Sequence, residues 1–156
     1  MPSFIGIFPN RNSFMANPIY EYELTILEQH LDTFGHVNNA NYLTMYEEAR
    51  WDFITKNNLG LKEILATKVG PVLLDLNLTF KSELKNREKI RIVSQARSEM
   101  RNKLVMYLDQ KMIKEDGKVA STLTISVGMM DLNARKLIPP TQEWLKALGL
   151  EEFTEA

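Results

Sequence analysis

The chain has 156 residues, 44% of them hydrophobic and 25% charged, which is enough for one globular domain with a substantial core. It contains no cysteine, and this excludes a disulfide framework, a thiolate metal site and a cysteine nucleophile. The net charge of −1 argues against a general nucleic-acid-binding protein, and no apolar run reaches the roughly 18 to 20 residues that span a bilayer.

The first half of the chain predicts one strand and one long helix. Residues 1–18 lack the basic start and continuous apolar core of a signal peptide, so we expect an N-terminal tail there. Alternation of apolar and polar side chains over residues 19–27 predicts a strand with one buried face. Apolar residues then recur at helical spacing over residues 42–56, and this predicts a largely apolar helix covered by a sheet. Asn38 or Asn39 can cap its first turn.

The second half predicts four strands and a short terminal helix. The strands are expected near residues 72–81, 88–97, 104–114 and 119–131. Asp116-Gly117 predicts a tight hairpin between the last two. Pro139 and Pro140 end the sheet, a helix opens near Thr141, and residues 149–156 are expected to form a C-terminal tail. The order β-α-β-β-β-β-α predicts one α+β domain over residues 19–148 with a mostly antiparallel sheet.

The segment between the first strand and the long helix, LDTFGHVNNANY, combines an acid with a helix start. Asp32 precedes the turn, Gly35 permits close backbone approach, and the N–H groups from Gly35 to Asn38 lead into the helix. A carboxylate beside such amides can attack a carbonyl, or activate water, while the amides stabilise the oxyanion. Two interpretations follow from these residues: a capped surface turn, in which Asp and Asn are common, or a reacting site.

This segment carries a resemblance to a known family. The pattern resembles the hotdog-fold acyl-CoA thioesterases of the 4-hydroxybenzoyl-CoA thioesterase type, through residues Asp32, Gly35, His36, Val37, Asn38, Asn39, Ala40, Tyr42, Glu47 and Arg50. Residues 125–140 are similar to that family's last strand and its closing prolines. The resemblance covers about residues 19–148. It implies a single hotdog domain, in which a long central helix is wrapped by a five- or six-stranded antiparallel sheet.

The resemblance also implies an activity and an assembly. The activity is hydrolysis of an acyl-CoA thioester to a free acid and coenzyme A, with Asp32 as general base or nucleophile. The catalytic residues implied are Asp32, Gly35 and His36, with helix-start amides as oxyanion donors. The working unit is expected to be a homodimer or homotetramer whose site lies at a subunit interface. The acyl carrier could be coenzyme A or an acyl carrier protein.

Several residues of the motif have two interpretations. His36 could be an acid or base, or a turn histidine bonded to the backbone. The similar plant-type acyl-carrier-protein thioesterases have an asparagine where this chain has Phe34, which leaves Asp32 and the amides as the main prediction. A second set could bind substrate, or else cap and pack: Asn38, Asn39, Tyr42 and Tyr46. Glu47 could be a second acid or an ion-pair partner of Arg50.

The charge is unevenly distributed. Residues 81–103 hold eight Lys or Arg and three acids, a net charge of +5 that leaves −6 on the rest. This basic band is either the solvent face of an edge strand or a site for coenzyme A phosphates. No zinc spacing or phosphate-binding glycine loop is present, so no metal or cofactor is predicted beyond coenzyme A within the substrate. The default location is cytoplasmic.

Two alternative functions remain from the sequence. One is a hotdog enoyl-CoA hydratase or dehydratase, because an Asp followed four residues later by His is similar to hydratase sites. The other is a non-catalytic hotdog protein that binds acyl-CoA, since fold does not fix function. The Gly-His-Val-Asn-Asn run favours the thioesterase over the first, and the presence of Asp32 and Gly35 favours it over the second.

Overall fold

Five long strands and one long helix account for most of the structure, a computed structural model that describes residues 17–150 and the backbone of residues 154–155. The strands are β1 (Ile19–Thr25), β2 (Val69–Phe80), β3 (Lys89–Asn102), β4 (Val105–Lys114), β5 (Val119–Asp131), β6 (Lys136–Ile138) and β7 (Thr154–Glu155). The helices are α1 (Asn39–Lys56), α2 (Leu61–Thr67) and α3 (Gln142–Leu148), and a 3-10 turn covers Glu28–His30.

The sheet has the order β1-β3-β4-β5-β2, and all neighbours along this path are antiparallel. The predicted antiparallel sheet is therefore confirmed in its five long strands. Two short strands extend it: β6 pairs with β5, and β7 runs parallel to the end of β3. These strands of three and two residues are too short to show a periodicity, which is why the sequence did not predict them.

Helix α1 packs its apolar stripe into one core with the inner faces of the strands. Its buried residues are Tyr42, Met45, Tyr46, Ala49, Phe53 and Ile54. Alternate residues of β3 and β5, such as Ile92 and Ile125, belong to the same core. Each large apolar side chain buried in this way contributes about 1.5 to 3 kcal/mol. The predicted long helix is thus observed over residues 39–56.

The structural unit reaches slightly beyond the predicted domain limits of 19 and 148. Asn17 donates from its Nδ2 to the carbonyl of Ala96 at 2.8 Å, and Leu150 is buried in the core. The rest of the predicted N-terminal tail, residues 1–16, lies outside the described residues. Among the described helices, none has both the length and the apolar character that a membrane crossing requires.

Strand β2 forms an edge of the sheet and leaves apolar side chains uncovered. Leu73, Leu76 and Phe80 are 48%, 40% and 52% exposed. Their partners on β5 include Val127 and Ile125, which are buried, so these three side chains point to the same face as α1. We call these three residues the β2 strip. A long apolar edge of this kind is a template for association with a second chain.

A polar cluster covers the outer face of the sheet. Arg97 forms a two-point hydrogen-bonded pair with Asp109, at 2.6 and 2.8 Å, and Thr124 donates to the same carboxylate at 2.6 Å. Burial opposes ionisation of Asp109. The hydrogen bonds from Arg97 and Thr124 outweigh this effect and lower the pKa of Asp109 below its ordinary value of 3.8.

Asp109→Asn is therefore expected to reduce the free energy of unfolding by about 1 kcal/mol at pH 7, because the pair is partly exposed and screened by water. A lowered folded-state pKa stabilises the protein above the unfolded-state value, and that contribution is lost as the pH falls through the folded-state pKa. The stability difference between wild type and variant should shrink as the pH is lowered to about 3. Urea titrations across this range measure it, and a difference independent of pH would contradict the assignment.

Candidate active site

The Asp32 loop, residues 31–38, is a tight turn closed by its own backbone. Asp32 N–H donates to the carbonyl of His36 at 2.8 Å, and Gly35 N–H donates to the carbonyl of Asp32 at 3.1 Å. Gly35 has a φ of +78°, in the left-handed region that glycine adopts without strain. The glycine is therefore needed for the shape of the turn that presents Asp32.

The carboxylate of Asp32 is oriented by the same loop. Its Oδ1 accepts a hydrogen bond from Phe34 N–H at 2.8 Å and a longer one from His36 N–H at 3.3 Å. Its Oδ2 has no hydrogen-bond partner within residues 17–150. One oxygen of the carboxylate is thus fixed, and the other is available to a water molecule or a substrate.

The amides at the helix start are mostly occupied, which argues against Gly35 N–H within the predicted group of oxyanion donors near Gly35 and His36. Gly35 N–H closes the turn, Val37 N–H donates to Leu84 O at 2.9 Å, and Asn38 N–H donates to His30 O at 2.8 Å. Asn39 N–H, the first amide of α1, has no acceptor among the described residues. Candidates for an oxyanion donor are therefore Asn39 N–H and the weakly held His36 N–H.

The imidazole of His36 makes no hydrogen bond to a described residue. Its backbone bridges to Lys85, so residues 83–85 lie beside the Asp32 loop. The pKa of Glu83 is lowered by a hydrogen bond from its own backbone, then by Lys85, and to a smaller extent by His36. Among the described residues, no backbone carbonyl accepts the hydrogen bond from the ring of His36 that the turn interpretation predicts.

The four predicted substrate-binding residues divide between surface and core. Asn38 caps α1, accepting from Ala40 N–H at 2.9 Å, and Asn39 is exposed beside it. Tyr42 is buried with its ring edge-on to Phe80, 5.0 Å between centroids. Tyr46 is fully buried, and its hydroxyl lies 2.7 Å from Ser121 Oγ. Burial raises the pKa of Tyr46 to about 12, and the described chain gives this residue no surface on which to bind a ligand.

Glu47 and Arg50 do not form the predicted ion pair in the described chain. Glu47 accepts instead from Trp51 Nε1 at 3.3 Å, whereas Arg50 turns inward and donates to Gln110 Oε1 at 2.9 Å. A spacing of three residues permits the pair on an isolated helix, but the guanidinium finds a buried acceptor on β4.

The basic band is largely neutralised by local acids. Five of its eight cations have carboxylate partners: Lys85–Glu83, Arg87–Glu28, Arg91–Glu21, Arg97–Asp109 and Arg101–Asp75. The edge-strand interpretation is wrong for β3, which lies between β1 and β4. Within residues 17–150, Lys81 has no acidic partner. With Lys85 it belongs to the segment that follows β2 and runs beside the Asp32 loop.

Two residues that position the helix start were missed by sequence reasoning. The carbonyl of His30 accepts from Asn38 N–H and from Asn41 Nδ2, at 2.8 and 2.9 Å, and the carbonyl of Leu84 accepts from Val37 N–H. His30 Nδ1 also accepts from Leu27 N–H at 3.0 Å. Backbone carbonyls leave no signature in a sequence, so only Asn41 could have indicated this arrangement.

Two cavities lie outside the Asp32 loop. The larger, about 640 Å³, is open, lies where the end of β1, the start of β3 and the hairpin after β4 meet, and includes none of the predicted site residues. The smaller, about 110 Å³, lies between α1, the first part of β2 and α3. Within the described residues, no group of three His, Asp or Glu side chains could hold a metal ion.

The sheet order, the long helix on one face and the Asp32 loop at the start of that helix together define a hotdog-fold protein of the thioesterase type. The model of the Thioesterase-like superfamily matches residues 27–148, and the chain belongs to this family. The family predicted from the Asp32 motif, and with it the prediction of a thioesterase-type enzyme, is confirmed.

Individual relatives agree with this assignment. The chain is 26% identical over 116 residues to the long-chain acyl-CoA thioesterase FadM of Escherichia coli (strain K12), a match covering 74% of this chain and 86% of that enzyme. The probable thioesterase YbaW from Escherichia coli superposes with a TM-score of 0.72 at 26% identity, over 83% of this chain and 96% of that one. The Staphylococcus aureus protein SAV2348, solved in complex with CoA, has the same fold, with a TM-score of 0.78, 18% identity and 92% of each chain covered.

Proposed function

We propose that this protein hydrolyses an acyl-CoA thioester to a free carboxylic acid and coenzyme A, with Asp32 as the catalytic carboxylate. The proposal is based on the different hydrogen bonding of the two oxygens of the Asp32 carboxylate. Oδ1 is held by the loop amides, and Oδ2 has no partner among the described residues. Membership of the Thioesterase-like superfamily and the similarity to FadM support the reaction class.

Two routes use Oδ2. As a general base it takes a proton from water while the water oxygen attacks the thioester carbon. As a nucleophile it attacks that carbon itself, and water then hydrolyses the mixed anhydride. In both, the C–S bond breaks, the sulfur leaves with a proton as coenzyme A thiol, and the acyl group leaves as the acid.

The developing oxyanion needs a donor that is free or only weakly held. Asn39 N–H is unpaired within residues 17–150 and lies at the positive end of the α1 dipole, and His36 N–H is held only at 3.3 Å. One such donor contributes about 3 to 4 kcal/mol to transition-state stabilisation. We therefore assign the oxyanion site to the amides of Asn39 and His36, rather than to Gly35.

The proposal includes a homodimer or homotetramer with the site at a subunit interface. The exposed β2 strip supports it, because an edge strand of twelve residues with uncovered apolar side chains is suited to pair with a second copy. Lys81 and Lys85 are candidates for contacts with the coenzyme A phosphates. Coenzyme A rather than a carrier protein as the acyl carrier, and a cytoplasmic location, belong to the same proposal.

A thiol-release assay over short, long, branched and aromatic acyl-CoAs tests the proposal. We expect stoichiometric release of coenzyme A thiol with one or more of these chains. The long-chain substrates are the first to examine because FadM is a long-chain acyl-CoA thioesterase. Hydration of an enoyl-CoA without thiol release would replace the proposal with a hydratase. Tight binding without any turnover would replace it with a binding protein.

A further inference from the structure

A half-buried cation, Arg50, lines the smaller cavity, and the proposed chemistry at Asp32 does not use it. One acid, Glu47, also lines the cavity. The other walls are apolar and are formed by residues such as Trp51, Ile54, Leu73, Leu108, Trp144 and Leu148. Arg50 reaches it from α1. An arginine remains charged at all ordinary pH values, so it creates a positive site within an apolar wall.

Arg50 uses only part of its hydrogen-bonding capacity. Nη1 donates to Gln110 Oε1, and Gln110 is itself held by donating to Ser94 Oγ at 2.8 Å and to the carbonyl of Tyr46 at 3.1 Å. Nε and Nη2 have no partner within residues 17–150. In that part of the chain, every fully buried side-chain nitrogen has a hydrogen-bond partner. Because Nε and Nη2 have none, they are not fully buried and are accessible from outside the protein.

The local charges leave the guanidinium uncompensated. Glu47 is the nearest acid on α1, but its carboxylate lies beyond ion-pair distance and accepts from Trp51 instead. Burial lowers the pKa of Arg50, and Glu47 only partly offsets that effect. A guanidinium with free, accessible nitrogens can bind a carboxylate through two parallel hydrogen bonds, so the site is suited to a carboxylate ligand.

An apolar path leads from the Asp32 loop toward this cavity. The β2 strip runs from Phe80, which contacts Tyr42 at the start of α1, through Leu76 to Leu73, which lines the cavity. Asn39 and Arg50 are about 16 Å apart along the helix axis at 1.5 Å per residue. An extended chain advances by roughly 1.2 Å per bond, so about 14 carbons cover this distance.

We propose that the cleft between α1 and β2 binds a long acyl chain that carries a carboxylate at its far end, and that Arg50 binds this carboxylate. The substrate class is thus the mono-CoA thioester of an α,ω-dicarboxylic acid of about 14 carbons. This inference rests on the proposed function, since it places the thioester at the Asp32 loop. The residue acts on selectivity and has no part in the bond-breaking step.

The decisive measurement is a ratio of kcat/KM values for two substrates of equal length, one ending in a carboxylate and the other in a methyl group. Wild type should prefer the carboxylate by about tenfold to a hundredfold, which is typical of a charge-assisted hydrogen-bonded pair. Arg50→Gln should bring the ratio near one, and Arg50→Lys should retain part of the preference. Lys56→Gln removes a charge from the exposed end of the same helix and should leave the ratio unchanged.

Wild type alone can overturn the proposal, because equal or lower turnover of the carboxylate-ended chain contradicts it whatever the variants do. The proposal would also be overturned if a folded Arg50→Gln protein kept the wild-type ratio of kcat/KM values. It would be overturned too if the only effect of that variant were loss of oligomerisation. The latter result would assign the guanidinium to a carboxylate of a second copy.

Binding separates this proposal from the failure of the proposed function. The two tryptophans of the chain, Trp51 and Trp144, both line the cavity, so their fluorescence reports its occupancy. Dodecanoate should bind at least about tenfold more tightly than methyl dodecanoate, and Arg50→Gln should abolish the difference. If no acyl-CoA is hydrolysed but this difference is present, the cavity assignment stands and the proposed reaction fails. If acyl-CoA is hydrolysed but the two ligands bind equally, the proposed reaction stands and the cavity assignment fails.

Discussion

Asp32→Asn is expected to lower kcat for acyl-CoA hydrolysis by about 10²- to 10⁴-fold while leaving the fold intact. The expectation follows from the two different environments of the carboxylate oxygens. Oδ1 accepts from Phe34 N–H and His36 N–H, and an amide oxygen can replace it in both bonds. Oδ2 would become an NH₂ group, which can neither take a proton from water nor attack a carbonyl. The substitution therefore removes the reacting atom and keeps the turn.

Asp116→Asn provides a matched control. Asp116 lies in the hairpin between β4 and β5, and its Oδ1 accepts from Lys118 N–H at 2.9 Å, as Asp32 accepts within its own turn. The two variants thus lose the same charge from the same kind of hydrogen-bonded turn. Thiol release and thermal unfolding should be measured for both. An Asp32→Asn protein with turnover near that of Asp116→Asn would exclude Asp32 as the catalytic carboxylate.

Local patterns in the sequence predicted the elements whose environment repeats along the chain. The predicted strand over residues 119–131 has the same limits as β5, and Leu123, Ile125, Val127 and Met129 meet the same core as predicted. At its start the alternation fails, because a register shift against β4 places Ala120 rather than Val119 in the core. Strand β3 continues to Asn102, beyond the predicted end at residue 97, since pairing with β4 and β7 extends it through a charged stretch. Such pairing partners are distant in sequence and leave no local pattern.

The candidate site shows the same division between local and long-range information. Asp32, Gly35 and the cap at Asn38 could be predicted because turn and cap chemistry is local. The sequence could not show which amides are free, because the fold brings in the carbonyls of His30 and Leu84 that accept from the other amides. Arg50 was expected to face Glu47 for the same reason, since only the packed structure offers Gln110 as an acceptor.

Leu76→Lys is expected to dissociate the proposed oligomer and to remove most of the activity with it. Leu76 lies in the middle of the β2 strip and is 40% exposed in the single chain. Pairing of two copies through β2 would bury it twice in each dimer, so the variant would place two unpaired charges in an apolar interface. Each buried charge costs several kcal/mol, which raises the dissociation constant by at least about a hundredfold.

Asn77→Lys separates this effect from the addition of charge to an edge strand. Asn77 is the next residue of β2 and pairs with Thr124, so its side chain points to the outer face of the sheet. Both variants carry the same new charge on neighbouring residues, but only Leu76→Lys places it against α1 and a second copy. Molar mass by light scattering and thiol release should be followed together across a protein dilution series.

The two measurements also test where the site lies. If residues of a second copy complete each site, activity must fall as the oligomer dissociates. In wild type this should happen only on strong dilution, whereas in Leu76→Lys it should happen already at higher protein concentration. A monomeric Leu76→Lys protein with full turnover would place the whole site within one chain. The apolar cleft between α1 and β2 would then be open to water on one side. An acyl chain could be held there only through its contacts with the β2 strip and the cavity beneath it.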